Sequence, residues 1–309
     1  MCLMHNGRRQ HRVIWKKMLG NCSEIRETDM NTKIKNRVPH IILLYWVIKI
    51  ASTTLGETGA DMFSMTFDYG YGVTILIFTG LFLVLLATKL MLKGYHPAVY
   101  WLTFTASAIA GTAMSDFIDR TLGLGYTLGS LLLVTMLLIV LAFWYKKERS
   151  INVEYISTPS VELFYWIAFL IANTLGTAAG DFLADNMGLG FMASAILISG
   201  LLIIIAALHY FTEVSGTLLF WVAFVLTRPF GATFGDFLTK PLSKGGINFG
   251  TVGSSIVFAV VLVLAIAQET KLERGRRKTL KDWPIGGELE EVPVEVSSDD
   301  ELDESGKKR

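Results

Sequence analysis

Four aspartates, Asp61, Asp116, Asp181 and Asp236, each stand fifteen residues after a tryptophan in a segment that is otherwise largely apolar. An acid in such surroundings is tolerated only if it faces protein or water, and it marks a functional site by default. The frame around each acid is constant. The segments YWVIKIASTTLGETGAD (45–61), YWLTFTASAIAGTAMSD (100–116), YWIAFLIANTLGTAAGD (165–181) and FWVAFVLTRPFGATFGD (220–236) align without a gap. Trp46, Trp101, Trp166 and Trp221 open them, and Gly56, Gly111, Gly176 and Gly231 follow ten residues after each Trp.

Read as helices, these segments place positions three, seven, eleven and fifteen after the Trp on one face. The four columns are Lys49, Thr53, Glu57, Asp61; Phe104, Ala108, Thr112, Asp116; Phe169, Asn173, Thr177, Asp181; and Phe224, Arg228, Ala232, Asp236. They hold most of the polar groups of these segments. Counting Lys49, Glu57, Arg228 and the four Asp, their formal charge is −3. Carboxylates brought together repel, so they do not all ionise in a dry site, and a bound cation or proton relieves them. The available ligands are carboxylate, hydroxyl and amide oxygens from Asp61, Asp116, Asp181, Asp236, Glu57, Asn173, Thr112 and Thr177. With no Cys or His in the columns, this set favours a hard cation over a soft metal. Arg228 and Lys49 are the charge-balancing groups, with Glu57 and Arg228 a candidate interhelical pair. For Lys49 the competing reading is a side chain that snorkels to the membrane surface. Arg228 precedes Pro229, where a kink is expected.

The elements that carry these columns must be membrane spans. Hydrophobic residues make up 52% of the 309 residues and charged residues only 18%, and between about 40 and 268 the chain is a series of apolar blocks of bilayer length. No period-two alternation points to a barrel. Each repeat continues through a Gly-rich turn into a plainer apolar helix, roughly 73–92, 126–145, 191–210 and 251–268. The expected fold is therefore all-α: a polytopic membrane protein of eight transmembrane helices, built as four parallel two-helix repeats in a pseudo-fourfold arrangement. The odd helices line the axis and the even ones face lipid. Fifteen residues at 1.5 Å each put an Asp about 22 Å beyond its Trp, in one outer third of a core about 30 Å thick. Gly56, Gly111, Gly176 and Gly231 open small-xxx-small pairs for close helix packing. Trp46, Trp101, Trp166 and Trp221 suit interface anchors.

Boundaries follow from charge. Residues 1–39 form a basic arm holding Cys2 and Cys22; 40–145 is a first membrane half; 146–160 (KKERSINVEYISTPS) is a linker; 161–268 is a second half; and 269–309 is a charged tail expected to be disordered. No signal peptide is expected before residue 40, and Met30 offers an alternative start. Lys89, Lys93, Lys146, Lys147 and Arg149 join the basic ends on one side, so both termini are expected in the cytoplasm; Lys240 and Lys244 dissent. The basic arm is an ordinary membrane flank, and no nucleic-acid partner is expected. No cofactor is expected either.

The repeated YW…G…D phrase resembles a bacterial family of uncharacterised membrane-anchored proteins with four tandem two-helix repeats of unknown function, each with a characteristic tryptophan. The likeness covers about 40–268, with Trp46, Trp101, Trp166 and Trp221 at the characteristic position. It implies eight spans in a bacterial inner membrane and supplies no substrate. The columns favour a transporter or channel for a small hard cation, such as the metal manganese, bound by the Asp ring, with the lipid bilayer and the cation as partners. A non-transporting membrane scaffold is the alternative. An intramembrane enzyme ranks lower, because GxGD, HExxH, GxSxG and P-loop phrases are absent.

Overall fold

A computed structural model describes residues 37–149, 156 and 158–281. These form eight helices and, among the described residues, no strand: α1 (Leu43–Asp61), α2 (Gly70–Met91), α3 (Pro97–Asp116), α4 (Gly125–Glu148), α5 (Pro159–Asp181), α6 (Gly190–Phe211), α7 (Gly216–Thr239) and α8 (Thr251–Lys281). Local chemistry sets the ends. Pro97 and Pro159 open α3 and α5 in the first turn, where a missing N–H costs nothing. The Thr158 side chain accepts a hydrogen bond from the Val161 N–H and caps α5. α1, α3 and α5 each unwind after their Asp into a π-helical turn, at Met62–Thr66, Phe117–Thr121 and Phe182–Asn186. The chain then reverses through glycines in the left-handed region, such as Gly125 (φ 67°) and Gly190 (φ 74°), a conformation that costs glycine nothing.

Six of the eight helices are long and apolar enough to cross a membrane: α2, α4, α5, α6, α7 and α8. α1 and α3 have 19 and 20 residues but carry more polar side chains. The protein is a multi-pass helical membrane protein. The odd helices α1, α3, α5 and α7 pack against one another in a closed ring, each touching two others. The even helices surround them with a consistent offset. α2 lies on α3, α4 on α5, α6 on α7, and α8 returns to α1. Each repeat thus lends its second helix to the next repeat. The exposed apolar residues cluster on this outer layer, for example Leu76 and Val84 of α2, Ile203 of α6 and Val263 of α8.

One contact recurs around the ring. A Cβ added to Gly56 would lie 2.7 Å from the Ala108 Cβ, one on Gly111 2.9 Å from the Asn173 Cβ, one on Gly176 2.6 Å from the Arg228 Cβ, and one on Gly231 2.7 Å from the Thr53 Cβ. In every case the glycine ten residues after the Trp meets the residue seven after the Trp of the next repeat. The backbones approach as closely as small residues permit.

Three features depart from the sequence reading. α8 runs to Lys281, thirteen residues past the expected end at 268. Its extension is rich in good helix formers and is braced by Glu273 pairing with Arg276 and Arg277 one turn away. Lys49 does not snorkel: it is 1% exposed. Trp101 and Trp166 are fully buried, so they hold helices to one another rather than to lipid headgroups. Trp101 Nε1 donates to Glu269 at 2.5 Å. The expected basic arm up to residue 36 and the tail from 282 lie outside the described residues, as do 150–155 and 157 of the expected linker.

Candidate functional site

The four columns meet along the axis of the inner ring, and all sixteen of their side chains are buried. They stack in layers. Nearest the Trp end, the residues just before each Trp add a layer of Tyr45, Tyr100, Tyr165 and Phe220, also buried; Tyr100 and Tyr165 share a hydrogen bond at 2.5 Å. Next comes Lys49. Its ammonium lies against the Phe224 ring, within 6.0 Å of the Phe104 ring centre and 5.9 Å of that of Phe169. It donates to the Phe224 carbonyl at 3.1 Å. Three phenylalanines at equivalent positions thus enclose the first column's cation, Lys49, an arrangement their ring faces favour.

Arg228 and Glu57 occupy the middle. Arg228 Nη1 is 3.7 Å from Glu57 Oε2. The same guanidinium donates to the Thr53 and Ala108 carbonyls, each at 3.2 Å, to Thr177 Oγ1 at 2.9 Å and to Thr112 Oγ1. Thr112 and Thr177 in turn donate to Glu57 Oε2 at 3.1 and 3.2 Å. One side chain from α7 therefore touches α1, α3 and α5. Asn173 donates to Ser107 Oγ at 3.0 Å, a neighbour outside the columns. The helix α7 continues through Pro229.

At the far end the four Asp stand at one level, but in two pairs. Arg120 bridges Asp116 and Asp181 at 3.2 Å to each. Lys240 bridges Asp61 at 2.6 Å and Asp236 at 3.1 Å. Four acids against two cations leave a formal charge of −2. A single metal cage of all four acids is not assembled: among the described residues no three His, Cys, Asp or Glu side chains are grouped to hold a metal. The physical reason is that each carboxylate is already turned toward a tethered cation. Above this level lies a cavity of about 770 Å³, lined by Arg120, Tyr126, Asp185, Lys240 and Lys244 among others. The two bridging cations thus form its floor.

Sequence reasoning missed Arg120 and Lys240. Each lies four residues after a ring Asp, one further step down the same column. That spacing was visible, but both residues fall where the Gly-rich turns begin and read as loop charges. The buried Arg37–Glu162–Lys89 cluster at the Trp end was missed too. There Lys89 Nζ is 2.8 Å from Glu162 Oε1, and Arg37 pairs with Glu162 while its N–H donates to the Ile156 carbonyl at 3.0 Å. Trp46 is half-buried; the Trp221 side chain lies outside the described residues.

Compared with known proteins, the chain matches no curated protein and no solved structure. It does match a family described as Repeat of Unknown Function (DUF347), four times in tandem, at residues 44–95, 99–150, 164–215 and 219–274. Each match begins within two residues of a Trp and takes in one inner helix, its Asp and the outer helix that follows. The repeat unit defined by the family and the structural unit of the ring coincide, and the chain belongs to the DUF347 family.

Proposed function

We propose that the chain is a transporter or channel for a small hard cation, with eight spans in pseudo-fourfold array and the Asp level as its binding station. The observation that carries this reading is the pair of tethered cations. Arg120 and Lys240 each sit between two buried carboxylates at the base of an open cavity. A mobile cation reaching that cavity would compete for the same oxygens, and a carboxylate pair carries the charge of one divalent ion. Below, the Arg228–Glu57 knot closes the axis. A scaffold has no need to bury five acids along its centre, since each is costly there. The repeated acids hold no catalytic phrase, so no enzyme role is proposed. The Lys and Arg bias favours a cytoplasmic Trp end with both termini on that side and the cavity outside, and the bacterial inner membrane implied by the resemblance is the proposed location.

The test is flux of Mn²⁺, Mg²⁺, Na⁺ and K⁺ into vesicles containing the purified chain. Wild type is expected to pass at least one of these above protein-free vesicles. Asp116→Asn with Asp181→Asn is expected to reduce that flux at least tenfold while its melting in detergent stays cooperative. Flux unchanged in the double variant would remove the Asp level from the pathway. No flux of any cation would leave the scaffold reading in its place.

A further inference from the structure

A second cavity lies on the flank of the bundle, apart from the Asp level. It has a volume of about 370 Å³, within the range of small-molecule sites. Its walls are α4, α5 and α7. α4 rests on α5 and α6 on α7, which leaves the α5–α7 seam uncovered between the two outer helices. Val134 of α4 and Val225 of α7, both exposed, mark its rim. Most of the lining is apolar, as a wall facing lipid should be. Its depth is different, because there the cavity meets Lys49, Asn173 and Arg228, all buried.

Three observations indicate what this cavity takes. First, the charges do not balance. Lys49 and Arg228 are cations, and among the described residues only Glu57 lies within ion-pair distance of either: Arg228 pairs with it, while Lys49 has no carboxylate that close. The deficit is one negative charge. Second, donors are left over. Arg228 Nε and Ser130 Oγ, both on residues of the lining, are buried and make no hydrogen bond among the described residues. A buried donor without a partner is costly. Third, the polar groups lie deep. Asn173 and Arg228 fall near the middle of α5 and α7, far from either end where a phospholipid headgroup would sit.

We propose that this flank cavity binds a long-chain monocarboxylate such as a free fatty acid, its tail along the apolar walls and its carboxylate toward Lys49 and Arg228. One negative charge closes the local balance, and two acceptor oxygens meet the unpaired donors. A neutral alcohol of the same chain length lacks the charge. A phospholipid carries its phosphate at the wrong depth. The site is independent of the cation reading, because it is read by binding alone, with no flux required.

The experiment is equilibrium binding of radiolabelled oleate to the full-length chain, delipidated in a neutral detergent. Wild type is expected to bind one oleate per chain saturably, with oleyl alcohol and dioleoylphosphatidylglycerol competing at least tenfold less well. Lys49→Met is expected to weaken oleate at least tenfold. Ala172→Phe, which fills the cavity from α5, is expected to abolish binding, and Val225→Trp, at the exposed rim, provides a second block that leaves the packed ring alone. Oleate is expected to raise the melting temperature of wild type and not of Val225→Trp. The proposal is overturned by non-saturable uptake, by an alcohol that competes as well as oleate, by phosphatidylglycerol that does so, or by undiminished binding in Val225→Trp.

Discussion

Arg228 reaches all three other inner helices, and Glu57 is the acid that neutralises it at the centre of the bundle. Removing one partner of a buried pair strands the other charge, which typically costs about 3–5 kcal/mol, far more than the pair itself contributes. Glu57→Gln is therefore expected to lower stability by about that amount. Replacing both, as Glu57→Gln with Arg228→Gln, is expected to cost less than the sum of the two single changes, as coupled neighbours do. Melting of the four proteins in one detergent measures both effects; additive losses would mean that the two charges do not act as a pair. This pairing was legible in the sequence, because helical periodicity put Glu57 and Arg228 on the column faces of the first and fourth repeats, as the one acid and the one base in the middle of the columns. The pairing at the Asp level was not. Periodicity supplied the four acids, but the cations that satisfy them lie past the last apolar residue. In the second repeat a π-helical turn also breaks the regular spacing there. Lys49 was open to two readings for a different reason. Three phenylalanines at equivalent positions form its enclosure, and only the ring closure brings them together.

The inner and outer helices obey different rules, and glycine shows the difference. Gly111 on α3 packs so closely that a Cβ would lie 2.9 Å from the Asn173 Cβ and 3.0 Å from the Thr174 backbone nitrogen. Backbone cannot swing aside as a side-chain end can, so Gly111→Ala is expected to destabilise by about 1–3 kcal/mol, the usual cost of overpacking. Gly200 on α6 has nothing within 4 Å of such a Cβ. Gly200→Ala is expected to be neutral or to stabilise by up to about 1 kcal/mol through helix propensity alone. Thermal melting of the two variants side by side checks the contrast. Equal effects would contradict the assignment of inner and outer helices. This division was readable in the sequence from where the polar residues fall. What could not be read was the offset by which each outer helix leaves its own repeat and covers the next. The Gly-rich turns permit either placement, and the choice is made by packing between segments distant in the chain.

At the scale of the whole molecule, the ring must close. Tandem repeats can equally stack as an open array in which the last unit never meets the first. Here α8 returns to α1, and Ser255 donates to Thr58 across that seam at 3.0 Å between the two hydroxyl oxygens. Both side chains are buried. The seam joins the first of the described helices to the last, so a covalent bond across it is a direct report of closure. Thr58→Cys with Ser255→Cys, in a chain whose Cys2 and Cys22 are replaced by serine, is expected to form a disulfide on mild oxidation, since the two side chains already meet. A protease site placed between Glu148 and Pro159 then separates the halves. After cleavage and denaturation the oxidised double variant is expected to migrate as one species, and to fall into two on reduction. Thr58→Cys paired with Val263→Cys, whose second residue faces outward at 65% exposed, is expected to separate under both conditions. Two fragments from the oxidised Thr58–Ser255 variant would mean that the first and last repeats do not touch. The Lys240 bridge between Asp61 and Asp236 would then fail with the seam, because it spans the same pair of repeats. The Arg120 bridge, between the second and third repeats, would survive.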